Sequence, residues 1–184
     1  DLDLIVVATV TPDMPMPATA VFVQQKLGAT CAAFDLSAAC AGFIYGLTIA
    51  DQFVRGGAAK LAIVVGVELL SRVVNWADRT TCVLFGDGAG AAIVGPADGG
   101  TRGILGTRLY SDGSLAESLM IPAGGSREPM DEARLHARRN KVHMKGQDIF
   151  KAAVRNLYSA SQSLVDSSGL TNEAVDWVVP HQAN

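Results

Sequence analysis

Short wholly apolar runs alternate along this chain with stretches where apolar residues recur every three or four positions. Leu4–Ala8 (LIVVA) is the first run, rich in β-branched residues, and reads as a strand buried on both faces. Three prolines follow within six residues of TPDMPMPATA, so a loop leads into a helix from about Ala18 to Leu27, stopped by Gly28. Thr30–Leu36 reads as the next strand. From Cys40 the period becomes helical: Phe43, Ile44, Leu47, Ala50 and Val54 share a face, and Gly56–Gly57 ends the run. Leu61–Val67 is again fully apolar. Strand, helix, strand in this order implies a βαβ unit and a mainly parallel sheet.

Cys82–Phe85 and Ala89–Val94 read as further strand around GDGAG. The turn cluster at Pro96–Gly103 divides the chain into halves, residues 1–100 and 101–184. In the second half Ile104–Tyr110 reads as a strand and Arg127–Lys145 as a long polar flap. Gly146–Ser168 reads as an amphipathic helix with Ile149, Phe150, Ala153, Val154, Leu157, Ser161, Leu164 and Val165 on one face, capped by Gly169. Ala174–Pro180 reads as a strand leading into His181.

Composition narrows the function classes. With 49% apolar and 18% charged residues in 184, the chain can bury a real core, which excludes a disordered protein. A pI near 5.5 argues against nucleic-acid binding. No apolar run is long enough to read as a membrane span. The start lacks a basic n-region, and the chain reads as a piece of a longer protein, cut through structure at both ends. Three cysteines without C-x-x-C spacing suit a reducing cytoplasm better than a disulfide framework or a metal site. Charge is uneven. Residues 127–155 hold eight Lys/Arg against four Asp/Glu, a local +4 in a chain of net −3. That stretch is either a solvated flap or a patch for an acidic partner.

Cys40 stands where a strand hands over to a helix, at the carboxyl end of an α/β sheet. Free N–H groups at a helix start favour a thiolate, and the small neighbours Ala38, Ala39, Ala41 and Gly42 leave room for a substrate. The alternative is a buried structural cysteine, which is the reading for Cys31 and Cys82. His181 follows Pro180 and suits a catalytic base or an oxyanion donor, although a lone histidine is more often structural. His136 and His143 read as surface residues of the flap. The GDGAG stretch (Gly86–Gly90) lacks the third glycine and the following helix of a dinucleotide fingerprint, so it reads as a tight turn.

AFDLSAACAGFIYGL, VVGVELLS, DRTTCVLFGDGAGAAIV, MKGQDIFKAAV and VDWVVPHQAN occur in this order. Together they resemble β-ketoacyl-acyl carrier protein synthase III over essentially the whole chain, least around Arg134–Lys141. The resemblance implies an α/β fold, the thiolase-like αβαβα layered sandwich, incomplete at both ends. Residues 1–100 would form most of the N-terminal half, and 101–184 the beginning of the C-terminal half. It also implies a cytoplasmic homodimeric acyltransferase of fatty acid biosynthesis. The reaction would join a short acyl-CoA starter to malonyl-acyl carrier protein with loss of CO2, and needs no cofactor or metal, acyl-CoA being a substrate. A related condensing enzyme using another starter in secondary metabolism is the alternative. A non-catalytic relative would usually lack the nucleophile.

Carried over by position, the resemblance makes Cys40 the nucleophile and His181 the catalytic histidine. It assigns Arg79 to the nucleotide end of CoA, and Leu84, Gly146, Phe150 and Asn184 to the pantetheine tunnel. Met16 would reach across the dimer to the partner's acyl pocket. Lys151 and Arg155, one helical turn apart, would receive the acidic carrier protein.

Overall fold

A computed structural model describes residues 1–97, 99 and 102–182. Two compact units result. One comprises Asp1–Leu69 and Asp87–Thr107, the other Leu70–Gly86 and the chain from Arg108 onward.

The first unit is a four-stranded sheet in the order β2-β1-β3-β4. Its strands are β1 (Leu4–Ala8), β2 (Ala32–Leu36), β3 (Ala62–Leu69) and β4 (Asp87–Val94). β1 runs parallel to β2 and to β3, with Ala8 opposite both Leu36 and Gly66, and β4 closes the far side antiparallel to β3. The helices α1 (Thr19–Leu27) and α2 (Gly42–Arg55) supply the crossovers. Every residue of β1 is buried, because alternate side chains face two separate cores. Leu4 and Val6 pack with Ala50, Ala62 and Val64 under Phe43 and Leu47 of α2. Ile5 and Val7 pack with Ala20 and Val23 of α1. Burying each Val, Leu or Ile of β1 stabilises the unit by about 1.5–3 kcal/mol.

α2 lies close on the sheet because two glycines face it. A Cβ at Gly46 would stand 2.7 Å from Val64 Cγ1, and one at Gly42 would stand 3.0 Å from Ala8 Cβ. α1 ends as expected, with Gly28 left-handed at φ 64° and its N–H donated to the carbonyls of Gln24 and Gln25. Its start is capped from outside the helix. Asp35 of β2 accepts from the backbone N–H of Thr19 at 2.7 Å and of Ala20 at 2.8 Å. Asp35→Ala is expected to destabilise the chain by about 2 kcal/mol, since two N–H groups of the first turn lose a charged acceptor. Urea unfolding of the full chain measures this, and an unchanged midpoint would show that water replaces the cap at no cost.

The second unit contains β5 (Leu119–Met120) paired antiparallel with β6 (His143–Met144), the short helix α3 (Glu132–His136) and α4 (Gly146–Ser167). α4 matches its predicted span within a residue, and Gly169 follows it left-handed at φ 67°. Its apolar face is only partly covered: Ala152 is buried, whereas Phe150, Val154 and Leu157 are exposed.

Three expected strands are not strands. Cys82–Phe85 lies in a series of turns in which Asp78 O receives the N–H of both Thr81 and Cys82. Ile104–Tyr110 and Ala174–Pro180 are irregular, and no neighbouring strand pairs with either among the described residues. Apolar content alone cannot make a strand where no ladder partner is in register. The flap is also more ordered than expected, since it holds α3 and contributes β6. No helix among the described residues is long and apolar enough to cross a membrane.

Candidate active site

Because β1, β2 and β3 run parallel, their carboxyl ends form one edge of the first unit. Thr9–Thr11 follow β1 there, Ser37–Cys40 follow β2, and Glu68 is the last residue but one of β3. Cys40 occupies a single 3₁₀ turn, Ala39–Ala41, that runs directly into α2. Ala39 takes the left-handed conformation, at φ 45°. That geometry costs a non-glycine residue about 1–2 kcal/mol, and it reverses the chain sharply enough to lift Cys40 onto the edge. Cys40 is exposed there.

The surroundings of the thiol run against the sequence expectation. Loss of water to neighbouring protein atoms pushes the Cys40 thiol above the ordinary cysteine range. The negative charge of Glu68 pushes in the same direction, and the backbone N–H of Cys40 itself opposes them.

Met16 also belongs to the first unit, at the tip of the loop after β1, and is 83% exposed. The other described site residues belong to the second unit. Arg79 is exposed on a loop held by Asp78, whose carboxylate accepts from Thr80 N at 3.0 Å, Thr80 Oγ1 at 2.6 Å and Thr81 Oγ1 at 2.8 Å. The Thr80 hydroxyl, foremost among these, holds the Asp78 carboxyl below the usual carboxylate range. Leu84 is half-buried two residues before Gly86, its N–H donated to Thr81 O. Gly146 opens α4, and Phe150, Lys151, Val154 and Arg155 line a shallow groove along that helix. His181 is exposed on the irregular segment after Pro180. Asn184 lies outside the described residues.

The basic stretch divides into tied and untied cations. Arg139 grips Glu128 with two hydrogen bonds, at 2.5 and 2.6 Å, and Arg134 pairs with Glu128 and Asp131. The Arg139 guanidinium holds the Glu128 carboxyl low, and the carboxylate in turn raises Arg139. Arg138 donates to Asn75 Oδ1 and Lys141 to the carbonyl of Arg72, so these cations anchor the flap to the Leu70–Gly86 segment. Among the described residues Lys145, Lys151 and Arg155, near α4, enter no ion pair, and the charge of Arg155 is felt by Asp112.

Sequence reasoning missed Asp35, Thr9, Thr11 and Glu68, which organise the edge around Cys40. It also passed over the Gly42–Gly46 pair, although its four-residue spacing within a helical period was a visible sign of close packing.

The cysteine on its strained strand-to-helix turn, at the carboxyl edge of parallel strands, belongs to a chain with the thiolase-like fold of the solved structures it superposes on. Residues 34–113 match the family described as 3-oxoacyl-[acyl-carrier-protein (ACP)] synthase III. The whole chain is 52% identical to the β-ketoacyl-[acyl-carrier-protein] synthase III of Caldanaerobacter subterraneus subsp. tengcongensis and spans 56% of that relative. The crystal structure of 3-oxoacyl-[acyl-carrier-protein] synthase III from Aquifex aeolicus superposes on the whole chain with a TM-score of 0.85 at 45% identity, 55% of that structure being covered. The priming β-ketosynthase of the R1128 polyketide biosynthetic pathway superposes on 92% of the chain with a TM-score of 0.75 at 36% identity, 50% of it covered. Along its whole length the chain is similar to these curated synthases, and it spans little more than half the length of those it matches.

Proposed function

We propose that the protein carries out the decarboxylating condensation of a short acyl-CoA with malonyl-acyl carrier protein. The product is 3-ketoacyl-acyl carrier protein, and the reaction opens type II fatty acid synthesis. The observation that carries this reading is Cys40 on its turn at the sheet edge, within a chain that matches the synthase family from end to end. In this reading Cys40 Sγ attacks the acyl-CoA carbonyl. A carbon–sulfur bond forms, the tetrahedral intermediate collapses, and CoA leaves with the thiol proton. One thioester replaces another, so the step is nearly balanced in energy. Malonyl thioester then loses CO2, and His181 donates to the enolate oxygen that appears. The enolate carbon bonds to the acyl carbonyl carbon, the tetrahedral intermediate collapses, and Cys40 leaves as a thiolate that takes a proton from water.

Binding roles follow the same reading. Arg79 faces the nucleotide end of CoA. Leu84, Gly146, Phe150 and Asn184 line the pantetheine tunnel, and Met16 reaches the acyl pocket of the partner in a cytoplasmic homodimer. No metal or redox cofactor enters these steps. Incubating the protein with acetyl-CoA and malonyl-acyl carrier protein should yield 3-ketobutyryl-acyl carrier protein, read by mass spectrometry of the carrier. A panel of starters separates this from a priming ketosynthase, which would prefer another acyl group. Absence of any condensation product with every starter would refute the reading.

Lys151 and Arg155 stand on α4 beside the Phe150 groove, outside the ion pairs that anchor the flap. They are the cations offered to an acidic carrier protein. The double variant Lys151→Glu/Arg155→Glu is expected to raise KM for malonyl-acyl carrier protein roughly three- to tenfold at low salt. Added salt should shrink that difference. Acylation by free acetyl-CoA should stay near wild type. An unchanged carrier-protein KM at low salt would mean that these cations form only a solvated face.

A further inference from the structure

Arg79 has an acidic neighbour able to neutralise it. Asp78 carries the opposite charge one position away, yet among the described residues Arg79 enters no ion pair. The acceptors of Asp78 are already occupied. Its Oδ1 receives both the N–H and the hydroxyl of Thr80, and its Oδ2 receives the hydroxyl of Thr81. A carboxylate offers about four lone-pair sites, so most of them are filled from these two threonines. The Asp78 carbonyl closes the same turn, accepting from Thr81 N at 3.2 Å and Cys82 N at 3.0 Å.

The turn is pinned on both sides of Arg79. After it, Thr81 is fully buried, and before it Val74 is fully buried. Asp78 N is donated to Asn75 O at 2.9 Å. Asn75 Oδ1 accepts from Ala77 N at 3.2 Å and from Arg138 Nη1 of the flap at 2.5 Å. Val142 N of the flap reaches Val73 O at 2.9 Å. Arg79 therefore stands exposed on a backbone held in place from within the loop and from the flap.

We propose that Asp78 is a positioning residue for CoA: it closes the 75–82 loop on Thr80 and Thr81, which fill its acceptors, and so presents the Arg79 guanidinium unpaired to the phosphates of the nucleotide end. The inference rests on the assignment of Arg79 under the proposed function. A guanidinium that is already unpaired gives up no carboxylate before it grips a phosphate, and a fixed backbone loses less freedom when it does. Simple charge predicts the opposite sign. Removing a carboxylate from beside an anionic ligand strengthens binding, whereas removing the group that holds the loop weakens it. The direction of the effect thus separates the two roles.

CoA binding to the full chain is measured by calorimetry. Single-turnover acylation is measured in parallel with acetyl-CoA and with acetyl-pantetheine, which lacks the nucleotide. Asp78→Ala should weaken CoA binding roughly tenfold and slow acylation by subsaturating acetyl-CoA to match, while acylation by acetyl-pantetheine holds its rate. Asp78→Asn keeps Oδ1 for both Thr80 donors and offers an N–H to the Thr81 oxygen, so it should bind CoA within about twofold of wild type. Thr80→Val, at an exposed position, opens one acceptor of Asp78 to Arg79 and should weaken CoA roughly threefold. Arg79→Ala should itself weaken CoA, and adding Asp78→Ala to it should change little more, because both act through one contact. Asp78→Ala that binds CoA as well as wild type or better overturns the proposal, as does an equal loss with both thioesters or an Asn variant as weak as Ala. If Asp78→Ala does not fold, Thr80→Val carries the test, and wild-type CoA binding by it overturns the proposal. Undiminished CoA binding by Arg79→Ala would instead refute the assignment of Arg79, and this inference with it.

Discussion

Cys40→Ala is expected to abolish covalent acylation by acetyl-CoA completely. Intact-mass measurement of the wild-type chain should show one added acetyl group on the peptide that holds Cys40, and the variant should show none. Three cysteines compete for this role, and position separates them. Cys31 and Cys82 are half-buried, Cys31 just before β2 and Cys82 within the turns after Asp78. Cys40 is exposed on the Ala39 turn, at the edge where an incoming thioester can approach. The substitution itself is small and sits outside both cores, so the variant should fold like the wild type. Because the surroundings push the thiol up, acylation should quicken about tenfold for each pH unit until the thiol's midpoint is passed. An acetyl group that survives in Cys40→Ala would assign the chemistry elsewhere.

The first unit could be read from sequence because its strands are short and mostly apolar, with Asp35, Glu68 and Asp87 their only charged residues. LIVVA can sit nowhere but between two faces, and it does. The same reasoning failed at Ile104–Tyr110 and Ala174–Pro180. Their residues are as strand-prone as those of β1, but whether a ladder partner lies alongside is a property of the fold, not of the segment. The turn that carries Cys40 was legible because strand, small residues, cysteine and helix follow one another locally. The neighbours of that edge were not, since Glu68 lies 28 positions downstream and is brought to the Thr9–Thr11 turn only through the β1–β3 register. The basic stretch shows the opposite limit. Summed charge could not separate a solvated flap from a patch, whereas Arg134, Arg138, Arg139 and Lys141 are engaged by carboxylates, an amide and a carbonyl that anchor the flap.

His181→Ala is expected to separate the two chemical steps. Decarboxylation of malonyl thioester should fall ~100- to 1000-fold, the usual cost of losing one donor to a developing oxyanion. Acylation of Cys40 should survive, because it needs a deprotonated thiol and not a donor to an enolate. The raised thiol sharpens the comparison. If His181 also takes the Cys40 proton, acylation in the variant should be slow near neutral pH and recover as hydroxide replaces the base. If it serves only the enolate, the acylation profile of the variant should overlie that of wild type while decarboxylation stays low at every pH. Single-turnover acylation by acetyl-CoA and steady-state CO2 release from malonyl-acyl carrier protein, each from about pH 6 to 10, distinguish these cases. Equal losses in both steps that persist at high pH would remove His181 from the enolate's oxyanion site and leave it a structural part of the segment after Pro180.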